Sequence, residues 1–325
     1  MKASGWGVRR IARALGRGAG TVSEELRRNA VGGLYLARKA IHKAYVKRKY
    51  SKVQSMKVVK YGVLQRFVEE KMALDWSPEM IAGRIKKIDR SYPRVSAKAI
   101  YKFVYSVYGR KIEKHLYRKR VKRKGGPKRG SAAVMDGRVS IEKRPKHIEN
   151  RKQFGHFEGD FIESGKDGKG SLLVLVERKT RYPFIAYCAD RSTAAVNALV
   201  VQLLLGVPIE SLTLDNDLSF QKHEELSKLL GVLVYFCHPF ASSEKGSVEN
   251  RNGKVRILGI PKRTDLSQVP EATIRAIAEK LRSLPLKCLG FKTPQEAWEI
   301  EMQKAAEGGS VRLAGVLKTN LKCSA

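Results

Sequence analysis

Three acids stand where acids are costly. Asp160 lies inside the run HFEGDFIE, Asp215 ends the apolar run LTLD, and Glu249 lies 34 positions further on in a segment with helical character. An unpaired buried carboxylate is unfavourable, so acids in or at the ends of apolar strands need a reason. Three clustered carboxylates repel one another and are stable together only if some are protonated or a cation lies between them. Oxygen-only ligands select hard cations such as Mg²⁺, with Mn²⁺ as a substitute. Two such ions can clamp the attacking and leaving oxygens of an in-line phosphodiester displacement. Separate surface or salt-bridged acids are the competing reading.

The neighbours of these acids add candidates. Glu158 shares a strand face with Asp160, and Asp217 lies two past Asp215, so either is a further ligand or a supporting group. Asn216 and His238 join the supporting set, with His238 and His156 as candidates for proton transfer or as plain structural histidines. Asn250 and Asn252 flank Glu249 and could position a phosphate or water, or sit on the helix surface. Lys245, Arg251, Lys254 and Arg256 form a basic edge beside Glu249, facing DNA or only solvent.

The elements that must bring the acids together begin near residue 155. His156–Glu163, Ser171–Glu177, 182–188, 212–215 and 232–237 read as strands, and 193–205, 224–230 and 247–257 as helices. Three strands, helix, strand, helix, strand, helix make a mixed α/β layer fold. That order is the one found in ribonuclease-H-like domains, an analogy of fold. In such a layout, with a mixed five-stranded sheet, the first and fourth strands are neighbours. Asp160 and Asp215 are then expected to meet, with a helical Glu249 closing over them.

The preceding half is expected to be all-α. Val8, Ile11, Ala12 and Leu15 recur at helical spacing, Gly16, Gly18 and Gly20 interrupt, and Val22 and Leu26 restart the pattern. This is a helix-turn-helix outline with Ala12 where the helices cross and Arg27 and Arg28 at the end. Residues 35–74 read as helical and basic, with Val63, Leu64, Phe67 and Val68 as an apolar series. Ser77 and Ser96 are good N-caps and Pro78 suits a first helical position. Ile81, Ile85 and Ile88, then Ile100, Phe103, Val104 and Val107, give inward faces for a second helix-turn-helix over 77–107. A plain helical pair acting as a spacer is the alternative.

Charge divides the chain. It holds 65 Lys+Arg against 31 Asp+Glu, a net of +34 over 325 residues. Residues 1–150 carry a net of +29 and residues 151–325 only +5. Residues 110–129 hold eleven basic residues and the single acid Glu113, and are expected to be a linker that tracks phosphates. Nucleic acid is the expected partner, ahead of an anionic membrane surface. At 42% hydrophobic the chain can fold, and it has no run of about 18 apolar residues. The start MKASGWGVRR lacks an apolar signal core, and the four cysteines form no CxxC pair, so a reducing, cytoplasmic and nucleoid-associated setting is expected.

These residues resemble the bacterial insertion-sequence-30 family of DDE transposases. The core segments are FGHFEGDFIES, LVERKTRYPF, LTLDNDLSFQKH, VYFCHPFASSEKGSVENRNGKVR, IPKRTDLSQV and LGFKTPQEAW, and 33 residues separate Asp215 from Glu249. IARALGRGAGTVSEELRRN looks like the family's first helix-turn-helix, and WSPEMIAGRI with VSAKAIYKFVY like its second. The chain departs from the pattern after Asp215, where Asn216-Asp217-Leu218-Ser219-Phe220 replaces the usual Asn-Gly-x-Glu-Phe. The family also has a helix before the first unit, so that unit is expected to be shortened.

The resemblance implies five parts: 1–34 a helix-turn-helix, 35–108 a helical region with the second one, 109–150 a basic linker, 151–300 the integrase-type catalytic core, and 301–325 a tail. It implies a transposase that binds terminal inverted repeats in double-stranded DNA, cuts the ends and joins them to target DNA. Asp160 and Asp215 would bridge two Mg²⁺ ions and Glu249 would complete the second. DNA contacts are expected from Arg9, Arg10, Arg17, Thr21, Ser23, Arg27, Arg28, Lys98 and Lys102, besides the basic edge at Lys245. A dimer or higher assembly on DNA is expected, since two ends must be held together. The rival expectations are a nuclease that does not join strands and a DNA-binding regulator with an inert core.

Overall fold

All seven residues of Ser171–Glu177 are buried, as a strand covered on both faces requires. The computed structural model describes residues 4–50, 56–116, 137–238 and 242–307. Its sheet has strands β1 (Val139–Ser140), β2 (His156–Glu163), β3 (Ser171–Glu177), β4 (Pro183–Cys188), β5 (Ser211–Leu214) and β6 (Leu233–Phe236), in the order β1-β6-β5-β2-β3-β4. β2, β3 and β4 are antiparallel neighbours, and β5 runs parallel to both β2 and β6. The first and fourth expected strands are therefore adjacent, with Glu158 opposite Thr213.

The sheet gains a strand that the sequence reading did not contain. Val139–Ser140 pairs parallel to β6, and Ile141 and Ile148 are buried beside it. The linker expected over 109–150 is thus structural in its last part. Two paired residues carry too little periodicity to be seen as a strand in a basic stretch. Residues 117–136, with most of that linker's charge, and 308–325, most of the expected tail, lie outside the described residues.

Twelve helices surround or precede the sheet among the described residues. They are α1 (Val8–Leu15), α2 (Ala19–Asn29), α3 (Ala37–Tyr50), α4 (Lys57–Lys60), α5 (Gly62–Ala73), α6 (Pro78–Lys87), α7 (Ala97–Val104), α8 (Thr193–Leu204), α9 (His223–Leu230), α10 (Gly246–Leu258), α11 (Glu271–Ser283) and α12 (Pro294–Glu307). Alternation along the strands divides the core. Phe157, Leu173, Leu175, Leu212 and Leu214 pack with α8 and α9. Ile162, Leu172, Val174 and Val176 point to the other face, against Val248 and Val255 of α10 and Ile274, Ile277 and Leu281 of α11. The tail boundary expected at 301 falls inside α12, whose Trp298 stacks on Tyr182 at 4.5 Å.

The helical half contains both expected helix pairs. Ile11, Ala12 and Val22 form a small cluster where α1 meets α2. Ser77 and Ser96 accept the N–H groups of Met80 and Ala99, at 3.3 and 3.2 Å, and so cap α6 and α7. Leu64, Phe67, Val68, Ile81, Ile85, Ile100, Phe103 and Val104 are buried. Val107, expected inward, is exposed because α7 ends at Val104, and Val63 of the apolar series is exposed on α5.

This half is bound to the sheet rather than strung beside it. The α5–α7 residues share one apolar cluster with Ile162, Leu172, Val174 and Val176. Arg84 on α6 donates both terminal nitrogens to Glu296 on α12, each at 2.7 Å, and Nε to Asp89 at 3.2 Å. Lys280 of α11 pairs with Asp75. Gly83 lies flat under Phe291, where an added Cβ would fall 2.0 Å from the ring.

Candidate active site

Parallel pairing of β2 with β5 places Asp160, inside β2, and Asp215, just past the end of β5, on one face. Lys245, just before α10, joins them. Its Nζ donates to Asp160 Oδ1 at 2.9 Å and lies 2.9 Å from Asp215 Oδ2. Asn252 donates Nδ2 to Asp160 Oδ2 at 2.8 Å. Burial pushes the Asp160 carboxyl up to about 6, against the pull of Lys245 and with a further push from Asp215. Burial likewise opposes the Lys245 charge, but Asp215 and Asp160 outweigh it and raise its proton affinity. Asp215 Oδ1 is buried with no hydrogen-bond partner.

The position of α10 is set by Glu158. This fully buried carboxylate accepts the N–H groups of Ser247 and Val248 at 2.9 and 3.2 Å, and pairs with buried Arg178 at 2.8 Å. An anion at the first turn of a helix satisfies free N–H groups and the positive end of the helix dipole. Glu158 therefore supports the site by fixing a helix, two residues from Asp160. Glu177 and Arg178, charged residues following the apolar run 172–176, were the sequence signal for this pair.

Glu249 is the acid that does not join. It is exposed on α10, four residues after Lys245 and three before Asn252, while Ser247, Val248, Arg251 and Val255 face inward. Among the described residues no three His, Cys, Asp or Glu side chains are gathered as a metal-binding group.

Several neighbours take other places than expected. Lys245 and Arg251, expected on a DNA-facing edge, are 6% and 2% exposed. Burial pulls the Arg251 guanidinium down to about 10. Lys254 is half-buried, and Arg256 donates to the carbonyls of Pro261 and Glu163 at 3.1 and 2.6 Å. Asp217 is bound to Arg191 and caps a turn by accepting the Ser219 N–H at 2.8 Å. Burial acts against the Asp217 charge, but Ser219 and Arg191 outweigh it and hold the carboxyl below its usual range. Asn216 donates to the Cys237 carbonyl at 2.8 Å, joining the ends of β5 and β6. His238 is exposed between Glu244 and Glu142, and Glu244 raises its proton affinity. Asn250 is exposed on α10. His156 is buried against Ser211 Oγ at 2.7 Å, and burial lowers it to about 4.

Fold and site together define a mixed α/β protein in which an aspartate inside one strand meets an aspartate just past the end of its parallel neighbour, beside a helix anchored by a buried glutamate. The transposase InsI of insertion sequence element IS30A from Escherichia coli (strain K12) is 33% identical over 309 residues, covering 90% of this chain and 78% of its own. The transposase of insertion sequence element IS4351 from Bacteroides fragilis is 34% identical over 296 residues, 89% of each. The chain belongs to the IS30 family of transposases. Among solved structures, the catalytic core domain of BIV integrase is 19% identical with a TM-score of 0.37, over 46% of this chain and 97% of that one. No protein-family model matches the chain. No helix among the described residues is long and apolar enough to cross a membrane.

Proposed function

We propose that this transposase binds the terminal inverted repeats of its element and carries out metal-dependent DNA cleavage and strand transfer on a ribonuclease-H-like core, with Asp160, Asp215 and Glu249 as its acids. The observation that carries this reading is the meeting of Asp160 and Asp215, 55 positions apart in sequence, around one cationic nitrogen. Family membership supplies the reaction class. Glu249 enters by the resemblance and by its place four residues after Lys245 and three before Asn252.

The donor set fits a hard divalent cation. Two carboxylates face a common point, Asp215 Oδ1 is buried without a partner, and the ammonium of Lys245 shows that the pair favours positive charge there. Asp160 and Asp215 would hold Mg²⁺, which when bound supplies Lewis-acid charge to an in-line phosphodiester displacement. The chain's own part is placement. Asn252 fixes the rotamer of Asp160, and Glu158 fixes α10.

DNA is held in this reading by the two helix pairs. Arg9, Arg10, Arg17, Thr21, Ser23, Arg27 and Arg28 are exposed on α1, α2 and their turn, as are Lys98 and Lys102 on α7. The test uses duplex oligonucleotides carrying the element's ends. Asp160→Asn and Asp215→Asn are expected to lower Mg²⁺-dependent cleavage and joining by roughly 10²–10³-fold while end binding stays within about twofold. Full cleavage by Asp160→Asn would overturn the assignment, and cleavage without joining by the unaltered chain would make it a nuclease.

A further inference from the structure

The end of α10 nearest Glu158 gathers more positive charge than the protein neutralises there. Arg144 and Arg178 are 6% and 3% exposed, Arg251 is buried with Arg181 as its charged neighbour, and Arg151 and Arg181 are half-buried. Arg178 has its carboxylate in Glu158. Among the described residues, none of the other four forms an ion pair. Arg144 donates Nη1 to Thr213 Oγ1 at 3.2 Å, and Thr213 is the register partner of Glu158. Arg181 donates to Ser247 Oγ, and Arg151 Nη2 lies 3.8 Å from where a Cβ on Gly246 would stand. The Nε groups of Arg144 and Arg151 are buried with no acceptor.

Five guanidiniums answered by one carboxylate leave buried donors and like charges facing one another. Burial lowers the proton affinities of Arg178 and Arg181; Glu158 opposes this at Arg178, and neighbouring arginines add to it at both. Arg151 and Arg181 are moreover held at φ 57° and 62°, a backbone region that side chains other than glycine enter only under constraint. An anion would complete the arrangement. Guanidiniums present planar, forked donors that match phosphate oxygens two at a time. Arg151 and Arg181 are the more accessible members, and Arg144 is buried. Lys245, at the same end of α10, reaches Asp160 and Asp215.

We propose that Arg144, Arg151 and Arg181 form a receptor for a phosphate group, and that the phosphate belongs to a nucleic-acid backbone laid beside the Asp160–Asp215 pair. This rests on the proposed function for the source of the phosphate, and on the arginine geometry alone for the receptor.

The test compares the full chain with Arg151→Gln/Arg181→Gln, using inorganic phosphate and a duplex oligonucleotide as probes. Phosphate is expected to raise the melting temperature of the unaltered chain by about 2 °C over chloride at equal ionic strength, and that rise is expected to vanish in the variant. Duplex affinity is expected to fall several-fold, with the slope of log K against log salt smaller by roughly 1–2. If the double variant does not fold, Arg181→Gln alone is measured, with a slope smaller by about 1. Equal phosphate stabilisation of variant and unaltered chain, or none in either, overturns the receptor. A phosphate effect lost in the variant with an unchanged duplex slope overturns the nucleic-acid source. Retained cleavage by Asp160→Asn sinks the catalytic reading without touching these outcomes.

Discussion

Glu158 accepts the backbone N–H of Ser247 at 2.9 Å, and so indexes the helix that bears Lys245, Glu249 and Asn252 against the strand that bears Asp160. The same carboxylate holds Arg178. Glu158→Ala leaves a buried guanidinium without its counter-charge, and is expected to cost about 3–5 kcal/mol in urea unfolding. Glu158→Ala/Arg178→Met is expected to recover most of that loss. A single-variant loss below about 1 kcal/mol would show that the pair is not buried as described.

Lys245→Met removes the charge that lets two carboxylates share one point. The variant is expected to lose on the order of 1–3 kcal/mol of stability in metal-free buffer, by analogy with other buried charges left unpaired. Millimolar Mn²⁺ is expected to restore more stability to it than to the unaltered chain, because a divalent cation can take the vacated role. Calorimetric scans with and without Mn²⁺ check this, and equal increments would count against a shared cation position.

His156 gives a pH signature. Burial lowers it from 6.5 to about 4, so between those values the unfolded chain binds the proton and the folded chain does not. Its contribution is present above pH 6.5 and is lost as pH falls through that window towards 4, up to about 3 kcal/mol. His156→Gln is expected to flatten stability against pH between 4 and 6.5. An unchanged slope, measured by urea unfolding at stepped pH, would show that another group carries the dependence.

Gly83→Ala tests the contact between the helical half and the sheet. Its Cβ would meet Phe291 at 2.0 Å, so α6 or the ring must move. A loss of about 1–3 kcal/mol is expected, in the range of core overpacking. Protease cleavage between residues 105 and 137 of the folded variant is expected to quicken. Unaltered stability and cleavage would mean that the two halves are not in contact there.

Periodicity and capping carried much of the fold. The apolar run 172–176, the strand-like segment 156–163, and Ser77 with Pro78 each encode local structure that the protein keeps. Asp160 and Asp215 were legible as a pair because strand order follows from element order. Lys245 and Arg251 were not, since the phase of α10 is fixed by Glu158, a partner about ninety positions away. Glu249 was expected over the aspartates from element order and the family resemblance, and it is exposed on α10. The Arg84–Glu296 pair spans 212 positions and has no local signal. Of the arginine cluster, only Arg251 was singled out, as part of a basic edge, while Arg178 and Arg181 passed unremarked within LVERKTRYPF.

The apolar cluster common to α5–α7 and the sheet bears on how this chain can be divided. A fragment beginning at residue 137 would lose Leu64, Phe67, Val68, Ile81, Ile85 and Phe103 as neighbours of that cluster, and would also strip Glu296 of its guanidinium partner. The uncovered surface would be apolar and contiguous, the kind that drives aggregation. Cloning boundaries drawn at the basic stretch would therefore cut through a folding unit, and the soluble minimal piece of this transposase is expected to begin ahead of residue 56.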